Sequence, residues 1–162
     1  MWLTKVINII MGGPDCDKSL FTEAIIRHLK LHHKTVEQIP DVAKPLVWQK
    51  DYEALKNRYP IARQQFRMIE LLDGQLSYLV TECSLPQILY DCEHHPDNIC
   101  DIQKTKAQIQ AWCKQHNNVN VMVERGDKKT STPGAFRTRN RRGRWTGACA
   151  PFCAAKGLPS RR

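Results

Sequence analysis

The sequence predicts an α/β fold in which a parallel β-sheet is covered by helices on both faces. Three observations carry that prediction. Short apolar runs alternate with longer segments of helical periodicity along residues 5–123. Two of the runs, residues 6–11 and 78–81, are mostly apolar, as expected of buried strands. Each pair of runs is separated by enough chain for a helical crossover, which parallel neighbours require. With 162 residues the chain is long enough to bury one sizeable core.

The first element is the run Val6-Ile7-Asn8-Ile9-Ile10-Met11, a strand. Gly12-Gly13-Pro14-Asp15-Cys16-Asp17-Lys18-Ser19 follows as a turn. A helix comes next, with Phe21, Ala24, Ile25 and Leu29 expected on one face. Residues 34–39 form a second short strand that ends at Pro40-Asp41, and residues 42–59 are mixed, helical around Pro45. From Ile61 onward Ala62, Phe66, Ile69, Leu72 and Leu76 mark an amphipathic helix with Gly74 near its end. Tyr78-Leu79-Val80-Thr81 is a compact strand closing on Glu82, and residues 85–90 suit a short helix. Asp101 is placed to cap a helix bearing Ile102, Ile109, Trp112 and Cys113. Val119, Val121 and Val123 alternate in a last strand before Glu124-Arg125-Gly126-Asp127.

The turn after the first strand carries the chemistry. It matches the P-loop pattern G-x-x-x-x-G-K-[ST] except that Asp17 stands at the second glycine. In such a loop, here Gly12, Gly13, Pro14, Asp15, Cys16 and Asp17, the backbone N–H groups of the residues other than proline surround phosphates at a helix N-terminus. Lys18 would reach the terminal phosphates and Ser19 would hold Mg²⁺. Asp17 brings a Cβ and a negative charge to a polyanion. Two like charges about 4 Å apart repel by about 4 kcal/mol at an effective dielectric of about 20, and rotation and salt reduce that severalfold. In a parallel sheet ligands gather beyond the carboxyl ends of the strands. Asp41 and Glu82 each follow a strand directly and therefore share a rim with the loop. Glu82 would assist Mg²⁺ or take a proton, Asp41 would position an acceptor hydroxyl, and Arg125 would neutralise phosphate.

Charge and cysteine usage narrow the partners. The net charge is +9, but residues 129–162 hold nine Lys/Arg and no Asp/Glu, so residues 1–128 balance 16 basic against 16 acidic groups. A neutral body argues against nucleic acid as the main ligand and leaves only non-specific attraction through the basic tail. Seven scattered cysteines without a secretory signal predict free thiols and a cytoplasmic setting, and the N-terminal apolar run is too short to span a membrane. Cys92, His94, His95 and Cys100 do not have zinc-site spacing.

The segments 6–19, 41–48 (Asp41-Val42-Ala43-Lys44-Pro45-Leu46-Val47-Trp48), 62–65 (Ala62-Arg63-Gln64-Gln65) and 80–85 followed by Tyr90 together resemble the phage and bacterial P-loop kinases grouped with the kinase domain of ribosylnicotinamide kinases. The resemblance covers about residues 5–129. It implies a three-layer P-loop kinase core lacking its last helix and strand. It further implies phosphoryl transfer from ATP and Mg²⁺ to a hydroxyl of a nucleoside, nucleotide or related small molecule. The departures are Asp17 in the loop and Glu82 where the family often has aspartate. A catalytically inactive nucleotide-binding relic, or a protein that binds nucleic acid through its tail, are the competing expectations. Residues 130–162 do not resemble the family and are expected to be a disordered basic tail. Their composition suggests translation out of frame: shifted by one base, Trp145 followed by Thr146 encodes aspartate.

Overall fold

The structure, a computed structural model, describes residues 4–11 and 18–123. The tail expected to be disordered (residues 130–162), the loop residues 12–17 and Arg125 lie outside the described residues. The elements are β1 (Lys5–Met11), α1 (Lys18–Leu31), β2 (Val36–Ile39), α2 (Lys44–Trp48), α3 (Tyr52–Lys56), α4 (Arg58–Leu72), β3 (Tyr78–Thr81), α5 (Leu85–His94), α6 (Ile102–Gln115) and β4 (Asn117–Val123). The four strands form one all-parallel sheet in the order β2-β3-β1-β4.

Both sides of the sheet are covered, in keeping with the mostly apolar central strands β1 and β3, whereas β2 and β4 at the edges carry more polar residues. Ile7, Ile9, Val36, Val80 and Val123 pack on one side with Ile25, Ile26 and Leu29 of α1. On the other side Val6, Ile39 and Leu79 meet Ile61, Phe66 and Ile69 of α4, Leu85, Ile88 and Leu89 of α5, and Ile109 and Trp112 of α6. The chain passes from β1 to β2 through α1, then back across the sheet to β3 and β4 through the opposite layer. Reversing both the direction and the face keeps one handedness for every crossover, as parallel units demand.

One expected helix face is corrected. Phe21 and Ala24 of α1 are exposed, Phe21 at 47%. The inward stripe is Thr22, Ile25, Ile26 and Leu29. A narrow sheet offers α1 a contact strip set by β1, β2 and β3, and the helix turns Thr22 into it; the Thr22 hydroxyl is satisfied by donating to the Lys18 carbonyl at 3.0 Å. The other boundaries shift by a few residues. The helix expected from Ile61 starts at Arg58, where the Asn57 side chain accepts from the Tyr59 N–H at 3.3 Å. It ends at Leu72, so Leu76 lies beyond it. Gly74, at φ 77°, makes the turn into β3. The Thr4 hydroxyl accepts from the Gly74 N–H and donates to the Leu76 carbonyl, both at 2.8 Å, tying that turn to the start of β1.

A buried polar seam holds the strand register. Asn8, inside the apolar run of β1, accepts from the Thr81 hydroxyl at 3.2 Å. Its amide nitrogen donates to the side-chain oxygens of Asn118 and Asn120 at 3.0 and 2.9 Å. Asn118 in turn donates to the carbonyls of Cys113 and His116. Asn8 stands level with Thr81 on one neighbour and Asn120 on the other. A slip of one residue would leave these amides buried without partners, at about 1–3 kcal/mol each. Above the seam Phe66 stacks on Trp112 with centroids 4.7 Å apart, joining α4 to α6.

Candidate functional site

The carboxyl ends of β1, β2 and β3 form one edge of the sheet. Adjacent strands β1 and β3 send the chain to opposite faces there, the arrangement that opens a crevice in parallel sheets. Lys18 is the first residue of α1 and Asp41 lies two residues past β2. Their side chains meet, with Nζ 3.5 Å from Oδ2, at 15% and 21% exposure. The second Asp41 oxygen accepts the Ala43 N–H at 2.9 Å. This local turn fixes the carboxylate before α2 begins and aims its free edge at Lys18.

Glu82 directly follows β3 and is buried, 6% exposed. Its Oε1 accepts from the Gln38 amide at 3.0 Å, and its N–H donates to the Ile39 carbonyl at 3.4 Å. The expected pair of rim acids is therefore split in function. Asp41 is engaged by the lysine, while Glu82 is held by β2. Ser19 is exposed on the first turn of α1.

Two groups that the sequence reading passed over complete the setting. Cys83 is buried within reach of both Asp41 and Lys18. Burial pushes its thiol well up, the Asp41 carboxylate adds to that, and Lys18 acts the other way. Asp91, on α5, has its carboxyl raised chiefly by burial, against the opposing influence of Arg58, the Gln87 hydrogen bond, His95 and Lys18. Gln87 donates to Asp91 at 3.4 Å, one helical turn apart. The Ser84 hydroxyl accepts the Gln87 N–H and starts α5 at this edge. Position in the chain hinted at Cys83, since it follows a strand-end acid. Nothing local marked Asp91, because its burial comes from the packing of α5 on the sheet.

The oxygen donors at this edge come from three elements. Ser19 offers a hydroxyl and Asp41 and Glu82 offer carboxylate oxygens, the ligand types Mg²⁺ takes. Among the described residues no cluster of three or more His, Cys, Asp or Glu converges as a self-sufficient metal site. Lys18 supplies the complementary positive charge.

Comparison with known proteins found no matching family model, no similar curated protein and no similar solved structure. No helix among the described residues is long and apolar enough to cross a membrane.

Proposed function

We propose that this protein binds ATP with Mg²⁺ and transfers a phosphoryl group to a hydroxyl of a nucleoside, nucleotide or related small molecule. The observation that carries the reading is Lys18, which opens α1 at the carboxyl edge of a parallel sheet and faces Asp41, two residues past the end of β2. The sequence of residues 12–19 supplies the phosphate-loop pattern on which the reading rests.

In this reading Lys18 neutralises charge on the transferring phosphoryl group. Ser19 contributes an oxygen to Mg²⁺, which supplies charge neutralisation when bound. Asp41 orients the acceptor hydroxyl and takes its proton as the oxygen becomes a nucleophile. Glu82, anchored by Gln38, serves the metal through its free oxygen. Arg125 would add positive charge on the acceptor side.

Asp17 and the Lys18–Asp41 pair favour a second reading, in which nucleotide binds weakly and no transfer follows. The negative charge of Asp17 beside the phosphates opposes binding, and Asp41 competes for the lysine. Calorimetry with ATP and Mg²⁺ separates the two. Asp17→Gly should tighten binding at least tenfold, about 1.4 kcal/mol, and adding Lys18→Ala should abolish the gain. Transfer of phosphate to a panel of nucleosides by the Asp17→Gly protein supports the kinase. Tight binding without transfer supports the inactive binder, and absence of ATP binding in both proteins refutes both.

A further inference from the structure

The sulfur atoms of Cys92 and Cys100 lie 3.5 Å apart at the junction where α4 begins, α5 ends and α6 begins. Cys92 is buried on α5, whereas Cys100, in the turn before α6, keeps intermediate exposure. Asn98 fixes their spacing: its amide nitrogen donates to the Cys92 carbonyl at 3.0 Å, and its oxygen accepts the Cys100 N–H at 3.3 Å. The neighbouring Ile99 N–H donates to the Lys56 carbonyl at 3.1 Å, which holds the turn against the end of α3. The two thiols are therefore placed by backbone contacts from three directions rather than by chance proximity of long side chains.

The two sulfurs differ chemically. For Cys100 burial acts upward, but hydrogen bonds from Thr105, Asn98 and Cys92 and from the Arg58 backbone outweigh it, so its thiol lies below the ordinary value. For Cys92 burial and the adjacent Cys100 push the thiol far up. One accessible sulfur is thus favoured as thiolate and the enclosed partner keeps its proton, the division found in a nucleophilic and a resolving cysteine.

We infer that Cys92 and Cys100 form a reversible oxidation site, closed to a disulfide by a peroxide. In the first step the Cys100 thiolate attacks one peroxide oxygen; the O–O bond breaks, Cys100 becomes a sulfenic acid, and hydroxide leaves to be protonated to water. In the second step the Cys92 sulfur, giving up its proton, attacks the Cys100 sulfur; the S–S bond forms and the sulfenic oxygen leaves as water. Two thiols and one peroxide molecule yield one disulfide and two waters. An approach of about 1.5 Å brings the sulfurs to bonding distance near 2.05 Å. The bridge would pin the end of α5, next to Asp91, to the turn that leads into α6. This inference does not depend on the nucleotide reading.

The test oxidises the full reduced chain with hydrogen peroxide at one equivalent, followed by alkylation of the remaining thiols. Cleavage after Lys, Arg and Glu separates Cys92 on fragment 83–93 from Cys100 on fragment 94–104. The expected product joins these fragments with a mass about 2 Da below their reduced sum plus the one alkyl group on Cys83, and dithiothreitol releases them. Fragmentation places the bond on Cys92 rather than Cys83. Cys113, raised to about 12 by burial, should remain alkylatable at this dose. Cys92→Ser should leave a Cys100 sulfenic acid that dimedone traps, and Cys100→Ser should remove both products. Unreacted Cys92 and Cys100, a bridge that forms first through another cysteine, or Cys100 driven to sulfinic acid without bridging would overturn the inference. The first arm uses the unaltered chain, so a poorly folding variant does not weaken it.

Discussion

Replacing Asp41 by asparagine should weaken the fold slightly, tighten nucleotide binding and slow turnover, three effects of different sign from one substitution. The bare attraction across the 3.5 Å gap to Lys18 is about 5 kcal/mol at an effective dielectric of about 20. The side chains are 15% and 21% exposed, so water and salt reach the pair and both partners lose some solvation on forming it. A net contribution of about 1 kcal/mol to stability is therefore the appropriate scale. Asparagine keeps an oxygen for the Ala43 N–H, so the turn into α2 survives. The same change releases Lys18 and, on the proposed function, removes a negative charge beside the phosphates. Recovering about 1.4 kcal/mol at that step corresponds to about tenfold tighter ATP–Mg²⁺ binding. Turnover should fall because the acceptor loses its proton partner. Urea denaturation measures the first effect and calorimetry the second, with Lys18→Met and the double variant closing the cycle. Unchanged affinity in Asp41→Asn, or the same gain in a Lys18→Met background, would refute the competition between Asp41 and phosphate.

Three further outcomes are expected. On the proposed function, Glu82→Gln should lower turnover far more than ATP affinity, because an oxygen remains for the Gln38 amide while the charge that would serve the metal is lost; equal rates would reduce Glu82 to a structural strand-end acid. Asp91 binds its proton more tightly in the folded chain than its ordinary 3.8, so stability should fall as pH rises from below 3.8 through its raised folded value. Asp91→Asn should therefore gain stability relative to the parent at pH 7 and not at pH 3, and a pH-independent difference in urea midpoints would contradict this. Phe66→Ala removes a ring stacked 4.7 Å from Trp112 and should cost about 3–5 kcal/mol, read by thermal or urea unfolding; a cost under about 1 kcal/mol would mean that the α4–α6 contact is not part of the cooperative core.

Local pattern was enough to place most elements. Tyr78–Thr81 has the bounds its apolar run implies, and Asp101 caps α6 by accepting the Lys104 N–H at 3.0 Å, as its position before the apolar positions suggests. These features depend on neighbours within a few residues, where periodicity and capping chemistry operate. The expectation that Asp41 and Glu82 lie at one sheet edge also came from local order, since each follows a strand of a parallel sheet. The α1 stripe was misread because Phe21 and Ala24 satisfy helical spacing as well as Thr22 and Ile26 do. Hydrophobicity alone does not say which sector faces a sheet of this width.

From the sequence alone came the α/β class, the sequence of strands and helices, the residues that follow each strand, and a phosphate-loop pattern carrying its own contradiction at Asp17. Tertiary structure alone decided the order β2-β3-β1-β4, the engagement of Lys18 by Asp41 rather than by Glu82, the burial that raises Asp91, and the meeting of Cys92 with Cys100. The reason is range. Helices and strands answer to contacts a few residues apart, whereas strand order, desolvation and side-chain encounters depend on which distant surfaces the chain brings together. Asn8 shows the difference in one residue: within its own run it reads as a polar flaw in an apolar strand, and only beside Thr81, Asn118 and Asn120 does it become the seam that holds the register.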